Sequence, residues 1–394
     1  MNDVANKNFR GAAAITGIGH AGLGDAKGFS EMEILSIAAQ RAVADAGLTM
    51  ADIDGLCTCS GSATMWALPV SEYLGLRPSF VDSTMLGGSS FIAHLMPAVH
   101  ALMAGVCNAV LVCYGSTQRS GSVDRSAVTK MRQVLDPQPY ETPYEPMQPI
   151  SAYALATARH MHQYGTTREQ LAEVAVAARA WAQTNPLAFS RGPLSIADVL
   201  GSRMVCDPLS VRDCCLLTDG AGAFVLTRAD RAKDAPHKPV YVLGNASETW
   251  NRQISSMADL TTTAASVSGP RALAMAGVGI GDVDLACLYD AFTINVILFL
   301  EDLGFCAKGE GGAFVQGGGI APGGRLAVNT NGGGLSFGHP GMYGTFLVLE
   351  AVEQLRGTAG ARQLAALEVA LVHGNGSTLS SQSTAIFGTE ATLS

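Results

Sequence analysis

Two stretches of the chain run through the same order of elements, and this repetition restricts its fold more than any other feature. In the first, AAAITGIGHAG (12–22) reads as a buried strand running into glycines. MEILSIAAQRAVADAG (32–47) reads as an amphipathic helix stopped by Gly47. IDGLCTCSG (53–61) and PSFVDST (78–84) follow as strands, then a helix to about Gly105 carrying His94 and His100, then a fourth strand, NAVLVCYGS (108–116). In the second, PVYVLGNAS (239–247) corresponds to the first strand and VDLACLYDAF (283–292) to IDGLCTCSG. RLAVNTNGGG (325–334) corresponds to SFVDSTMLGG, and LEVALVHGNGS (367–377) to NAVLVCYGS. RALAMAG (271–277) ends the intervening helix. Alternating strands and helices predict parallel sheets covered by helices, and two copies predict a duplication.

The expected architecture is therefore a doubly wound α/β chain of two halves, 10–230 and 238–390. An irregular insertion at about 117–205 interrupts the first half. It opens with TQRSGSVDRS and the proline-rich DPQPYETPYEPMQP (136–149), and continues as helical runs at 151–165 and 168–186. A long insertion in a compact fold is more often functional than idle. VCDPLSVRDCCLLTDGAGAFVLT (205–227) is expected to return as the last strand of the first half. Residues 1–12 are polar and expected to fray.

Composition excludes several classes. Charged residues are 15% and hydrophobic ones 48% of the 394, so much of the chain must be buried, which also fits a surface hidden in an oligomer. Net charge is −8 without a basic run, which leaves no footprint for nucleic acid. No apolar run reaches membrane-span length and no signal-peptide pattern opens the chain. The nine cysteines include no CxxC unit, and Cys57-x-Cys59 and Cys214-Cys215 are too close for zinc spacing, so no metal site is expected. Free thiols in a reducing cytoplasm are the expectation.

The chemistry concentrates in NTNGGGLSFGHPGMYG, Asn329–Gly344, where six glycines, a His-Pro pair and a tyrosine follow the strand-like Leu326–Val328. Glycine allows close backbone approach and positive φ. The following FLVLEAVEQLRG has helical periodicity, with Phe346, Leu349 and Val352 on one face and Glu350 and Glu353 outward. Strand, glycine loop and helix present a loop and a helix N-terminus to a ligand.

This stretch resembles the GHP signature of the thiolase superfamily, in the branch of sterol-carrier-type thiolases and lipid-transfer-protein aldolases. LYDAFTINVILFLEDLGFC (288–306) and KGEGGAFVQGGGIAPGG (308–324) belong to the same pattern, and the likeness runs from about Ala13 to Gly388. The resemblance implies the thiolase fold, two duplicated βαβαβαββ halves in five layers (α-β-α-β-α), with the insertion as a loop domain capping the substrate channel. It implies an acyl-CoA thioester as substrate with no bound cofactor, and a homodimer. Family members lacking the usual thiol often work with a small OB-fold, zinc-ribbon partner, here forming a heterotetramer.

One departure from the family stands out. Its nucleophilic cysteine precedes a short small-residue run, which Gly88-Ser89-Ser90 match, placing that position near Met85; no cysteine occurs from 60 to 106. Ser89 or Ser90 would need an adjacent base, and the other reading is a helix N-cap. His373, in HGNGS, stands where the family has cysteine or histidine. His339 resembles the histidine that binds the thioester carbonyl. Tyr289 and Asp290 stand where ordinary thiolases have an asparagine motif, and Tyr343 follows His339 by four residues.

Tyr289, Tyr343, His339, Asp290 and His373 are thus the candidate catalytic groups. Gly88, Ser89, Ser90, Asn331, Gly338 and Gly374 are the candidate contacts to substrate and CoA. Each tyrosine could instead be packed with its hydroxyl satisfied, and Asp290 could cap TINVILFLEDLG. His94 and His100, with Pro97 between them, read as structural or interface residues. The glycines of 309–324 form no phosphate-cradle motif and read as a tight loop near the pantetheine channel. Oxyanion stabilisation with acid/base groups and no nucleophile suits retro-aldol cleavage of a 3-hydroxyacyl-CoA through an enolate. The alternatives are a thiolase or acetyltransferase using another cysteine, such as Cys113 or Cys57, and a non-catalytic acyl-CoA or lipid carrier.

Overall fold

In the computed structural model the described residues are 9–121 and 139–393. The second half of TQRSGSVDRS and the first part of the proline-rich run lie outside them. Ten strands form one mixed sheet with two mirrored halves. The first half contains β1 (Ala13–Gly24), β2 (Gly55–Thr58), β3 (Phe80–Asp82), β4 (Ala109–Ser116) and β5 (Asp219–Arg228). The second contains β6 (Val240–Thr249), β7 (Leu285–Leu288), β8 (Ala327–Val328), β9 (Val369–Gly376) and β10 (Ser381–Gly388). The order is β8-β7-β9-β10-β6-β1-β5-β4-β2-β3, so each half has its strands in the order third, second, fourth, fifth, first. β2 runs parallel to β3 and β4, as β7 does to β8 and β9, and the other pairs are antiparallel. The halves join where β1 meets β6 at Ala14–Tyr241 and Ile15–Val240.

The helices are α1 (Glu31–Asp45), α2 (Ala67–Leu74), α3 (Leu95–Met103), α4 (Ile150–Tyr164), α5 (Arg168–Gln183), α6 (Ala265–Ala276), α7 (Thr293–Asp302) and α8 (Gly344–Arg356). α1 starts at a Ser30/Glu33 capping box and buries Ile34, Leu35, Ala38, Ala39, Ala42 and Val43 on the outer face of the first half. α6 covers the outer face of β6 and β10. α8 touches β7 and β9 on one side, β5 and β1 on the other, and the short helical turn Ser90–Ala93 that leads into α3. α8 therefore lies between the two sheet halves, which gives the layers α-β-α-β-α.

The duplication reaches single residues. A Cβ on Gly17 of β1 would lie 2.1 Å from Ala42 O of α1, and one on Gly244 of β6 would lie 2.2 Å from Ala272 O of α6. Each half thus needs a glycine where its outer helix crosses its first strand. Asp54 before β2 accepts the amides of Asn108 (2.7 Å) and Ala109 (2.9 Å). Asp284 before β7 accepts those of Glu368 (2.9 Å) and Val369 (3.0 Å).

Several sequence expectations are corrected. Residues 9–12 are ordered, because Phe9 is buried with its ring 5.6 Å from that of His100. The last strand of the first half starts only at Asp219. Before it, Met204–Cys206 and Leu209–Ser210 form a separate ribbon, and the Ser210 amide turns onto Asp213 Oδ2 at 2.8 Å. β8 is two residues long because Asn329 leaves extended geometry with φ 51°. Glu350 is not outward. α8 is in the middle layer, and Glu350 is buried against Arg362 (3.0 Å) and Thr330 Oγ1 (2.5 Å), while the half-buried Glu353 also contacts Arg362. His94, by contrast, is structural as expected, buried with Nε2 3.0 Å from Thr84 O.

Burial raises the Asp54 carboxyl, but hydrogen bonds from Ala109 and Asn108 outweigh it and hold the group below its usual range. Its stabilisation is therefore present above the unfolded value and lost as pH falls through the folded one. Asp54→Ala and Asp284→Ala should each lower stability by about 1–3 kcal/mol in urea unfolding at pH 7.

Candidate active site

The site forms where β7, the glycine loop and the N-terminus of α8 meet. Tyr289 follows β7 directly, its amide donating to His373 O at 3.0 Å. Its ring is buried and its phenol oxygen lies 3.0 Å from His339 Nε2. The same oxygen accepts the Tyr343 amide at 3.1 Å. Tyr343 is the N-cap residue of α8, so the phenol sits on the positive end of a 13-residue helix. Room for the ring comes from Gly88, where a Cβ would lie 2.2 Å from Tyr289 Cε2 and 2.4 Å from its hydroxyl.

Both halves hold the loop in place. The His339 amide donates to Thr218 Oγ1 at 2.9 Å, just before β5. Tyr114, at the end of β4, donates its hydroxyl to Pro340 O at 2.5 Å and accepts the Met342 amide at 3.2 Å. Asn329 pairs twice with the backbone of Leu288, at 2.7 and 2.8 Å, tying the glycine loop to the end of β7. Sequence reasoning missed Thr218, Tyr114 and Asn329. Only Asn329 carried a local signal, as a polar residue at the strand-to-glycine junction.

Burial lowers His339 to about 4 and pushes the Tyr289 phenol well up, against the Tyr343 amide bond that lowers it. Both groups are neutral at pH 7. The buried phenol O–H needs an acceptor and Nε2 lies 3.0 Å from its oxygen, so we assign the phenol proton to Nε2 and the imidazole hydrogen to Nδ1.

Asp290 does not cap α7. The Phe292 amide at that helix start is taken by Asn295 Oδ1 (3.0 Å), and the Thr293 hydroxyl donates to Asp213 (2.9 Å). Asp290 instead accepts the amides of Gly334 (2.6 Å) and Leu335 (3.3 Å), closing the turn Gly333–Phe337. Gly333 has φ 63°, and a Cβ there would lie 2.0 Å from Asp290 Oδ2, so only glycine fits. Burial raises Asp290 to about 7 against the bonds from Gly334 and Leu335.

The remaining candidates are mostly packed. His373 is buried with Nδ1 2.9 Å from Thr384 Oγ1, Nε2 2.9 Å from Gln382 Oε1, and its ring against Phe299. Both ring nitrogens are occupied, so only its carbonyl reaches the site. Ser89 Oγ lies within hydrogen-bond distance of Leu86 O (3.1 Å) and Ser381 Oγ (3.0 Å), and Ser90 Oγ accepts the Leu86 amide (2.8 Å). Neither serine caps the helix through N2 or N3, and neither has a general base. Gly374 packs closely, with Ser89 Cα 3.0 Å from the position of a Cβ, and Gly338 lies against Thr218. Met85 is partly exposed one turn before Ser90. Asn331 accepts the Tyr343 hydroxyl at 3.0 Å.

The thiols named above as alternatives are buried. Cys113 is buried beneath α1 and pushed up to about 12, and Cys57 is buried and pushed well up, by desolvation in both cases. Cys215 lies close enough for its charge to perturb Tyr289, but its thiol is also pushed up by burial.

The insertion is fastened over this loop. Arg179 Nε donates to Ser336 Oγ (3.0 Å), Asn185 Nδ2 to Asn331 O (3.0 Å), and the amides of Phe189 and Ser190 to the carbonyls of Phe337 and Ser336. Tyr153 and Trp181 are buried packing, whereas Tyr140 and Tyr144 are exposed. The 309–324 glycine segment rests on α5, where Trp181 Nε1 donates to Ile320 O at 3.0 Å.

With this fold and loop in view, the chain belongs to the thiolase superfamily. The thiolase C-terminal domain-like family matches residues 246–389. An acetyl-CoA acetyltransferase of Methanothermobacter thermautotrophicus is 35% identical over 381 residues, covering 93% of this chain and 96% of that one. A steroid side-chain-cleaving aldolase of Thermomonospora curvata is 34% identical over 366 residues, covering 89% and 91%. The solved Ltp2-ChsH2(DUF35) aldolase superposes with TM-score 0.89 and 32% identity over 98% of this chain and 100% of that one.

Because Asp290 is raised in the fold, the stability it contributes is complete below the unfolded carboxylate value of about 3.9 and is lost as pH rises to about 7. Asp290→Asn removes this slope. Denaturant unfolding at pH 4 to 7 should show wild type losing stability relative to the variant as pH increases.

Proposed function

We propose that the protein cleaves the Cα–Cβ bond of a 3-hydroxyacyl-CoA by a retro-aldol reaction, without an acyl-enzyme. The observation that carries this reading is the hydrogen bond between Tyr289 and His339 on the N-terminus of α8, in a chain with no thiol from 60 to 106. Tyr289 receives the β-hydroxyl proton of the substrate while passing its own to His339 Nε2. The electrons of the O–H bond become the new C=O, and the Cα–Cβ pair moves into the thioester as an enolate. The imidazolium formed beside the enolate stabilises its charge and returns the proton to Cα. No net proton is exchanged with water and no free CoA is consumed. The Tyr343 amide and the α8 dipole favour negative charge on the Tyr289 oxygen during transfer. Asp290 holds the turn that shapes the loop.

One relative named a steroid side-chain-cleaving aldolase and another named a 17-hydroxy-3-oxo-4-pregnene-20-carboxyl-CoA lyase support a bulky lipid, steroid or aromatic acyl group. The two-component name of the Ltp2-ChsH2(DUF35) aldolase supports a small partner protein. The resemblance adds an OB-fold with a zinc ribbon, and a homodimer, to this proposal. Among the described residues no helix is long and apolar enough to cross a membrane.

The test is incubation with a panel of 3-hydroxyacyl- and 3-oxoacyl-CoA thioesters, with product mass spectrometry. A ketone or aldehyde and a shortened acyl-CoA should form with added CoA unconsumed; consumption of CoA would instead indicate thiolysis. Tyr289→Phe and His339→Ala should each reduce kcat by about 10²- to 10⁴-fold while acyl-CoA binding persists. Binding without turnover in wild type would favour the carrier.

A further inference from the structure

We propose that Asn331 is a positioning residue that sets Tyr289 through Tyr343, and that the Tyr343 hydroxyl is its anchor rather than a group that exchanges protons with substrate. The proposal rests on the retro-aldol reading of Tyr289 and His339. The Tyr343 ring is fully buried between Phe346, stacked at 5.8 Å, and His339, stacked at 6.1 Å, with Phe337 at 6.5 Å. Its hydroxyl donates to Asn331 Oδ1 at 3.0 Å, and the same oxygen accepts the Gly333 amide at 2.8 Å. That bond commits the hydroxyl proton to Asn331, while the backbone amide of Tyr343 donates to the Tyr289 phenol oxygen.

Asn331 is itself fixed by the insertion, since Asn185 Nδ2 donates to Asn331 O at 3.0 Å. Asn185, Asn331, Tyr343, Tyr289 and His339 therefore form one continuous line of contacts from the insertion to the reacting pair. A ring pinned at both ends holds the Tyr343 amide at one distance from the phenol oxygen. Loss of the hydroxyl anchor lets the N-terminus of α8 shift and weakens that amide bond, which slows proton transfer without removing a reacting group.

The experiment compares Asn331→Ala, Tyr343→Phe, the double variant and Asn331→Asp, which retains an oxygen acceptor. Asn331→Ala and Tyr343→Phe should each lower kcat about tenfold with KM for the acyl-CoA unchanged, and the double variant should be no slower than either. Asn331→Asp should recover most of the rate. A Tyr343→Phe loss as large as that of Tyr289→Phe would overturn the proposal. So would an Asn331→Ala effect confined to KM. Thermal melting of the same proteins without substrate separates this proposal from the reaction itself. If wild type cleaves nothing, the retro-aldol reading fails, and the melting cycle decides the clamp. A loss in the double variant no larger than in either single supports it, and additive losses contradict it.

Discussion

The Tyr289 phenol oxygen, held between His339 Nε2 and the Tyr343 amide, is the point on which the rest of this structure depends. A hydroxyl with one donor and one acceptor in a dry pocket has a fixed direction for its proton. The surroundings supply that dryness. Gly88 gives up its side chain so that the ring can lie against the first half. The GHP loop is pinned by Thr218 and Tyr114 from the first half and by Asp290 and Asn329 from the second. The duplicated fold thus brings together a site that neither half contains alone.

Burial accounts for the protonation states. It favours neutral His339 and neutral Tyr289 alike, so this pair carries no charge at rest. In the proposed reaction charge appears only as the β-hydroxyl proton moves, as an imidazolium on His339 and an enolate on the substrate, and the α8 N-terminus favours the transient negative charge on the Tyr289 oxygen. Every thiol discussed above is pushed up by desolvation, as expected of packing cysteines.

Much of this was legible before the structure. The repeated order of elements gave the two halves, and its alignment of Asp54 with Asp284 survives as matched hydrogen bonds. Glycine density and the GHP motif located the loop, and YDAF located its partner. What failed shares a cause. β9 is buried on both faces, so its sequence has no alternation to show which way His373 turns. α8 is buried all round, so Glu350 looked like an outward charge until Arg362 appeared beside it. Asp290 looked like a helix cap because the amides it serves, Gly334 and Leu335, lie more than forty residues on. Contacts of that range leave no local pattern.

The most direct test is intact-protein mass spectrometry of the enzyme quenched during turnover of a cleavable 3-hydroxyacyl-CoA. The account predicts an unmodified polypeptide mass at every time point while ketone or aldehyde accumulates. A polypeptide carrying the acyl group on any side chain, formed and consumed at the rate of turnover, would contradict it.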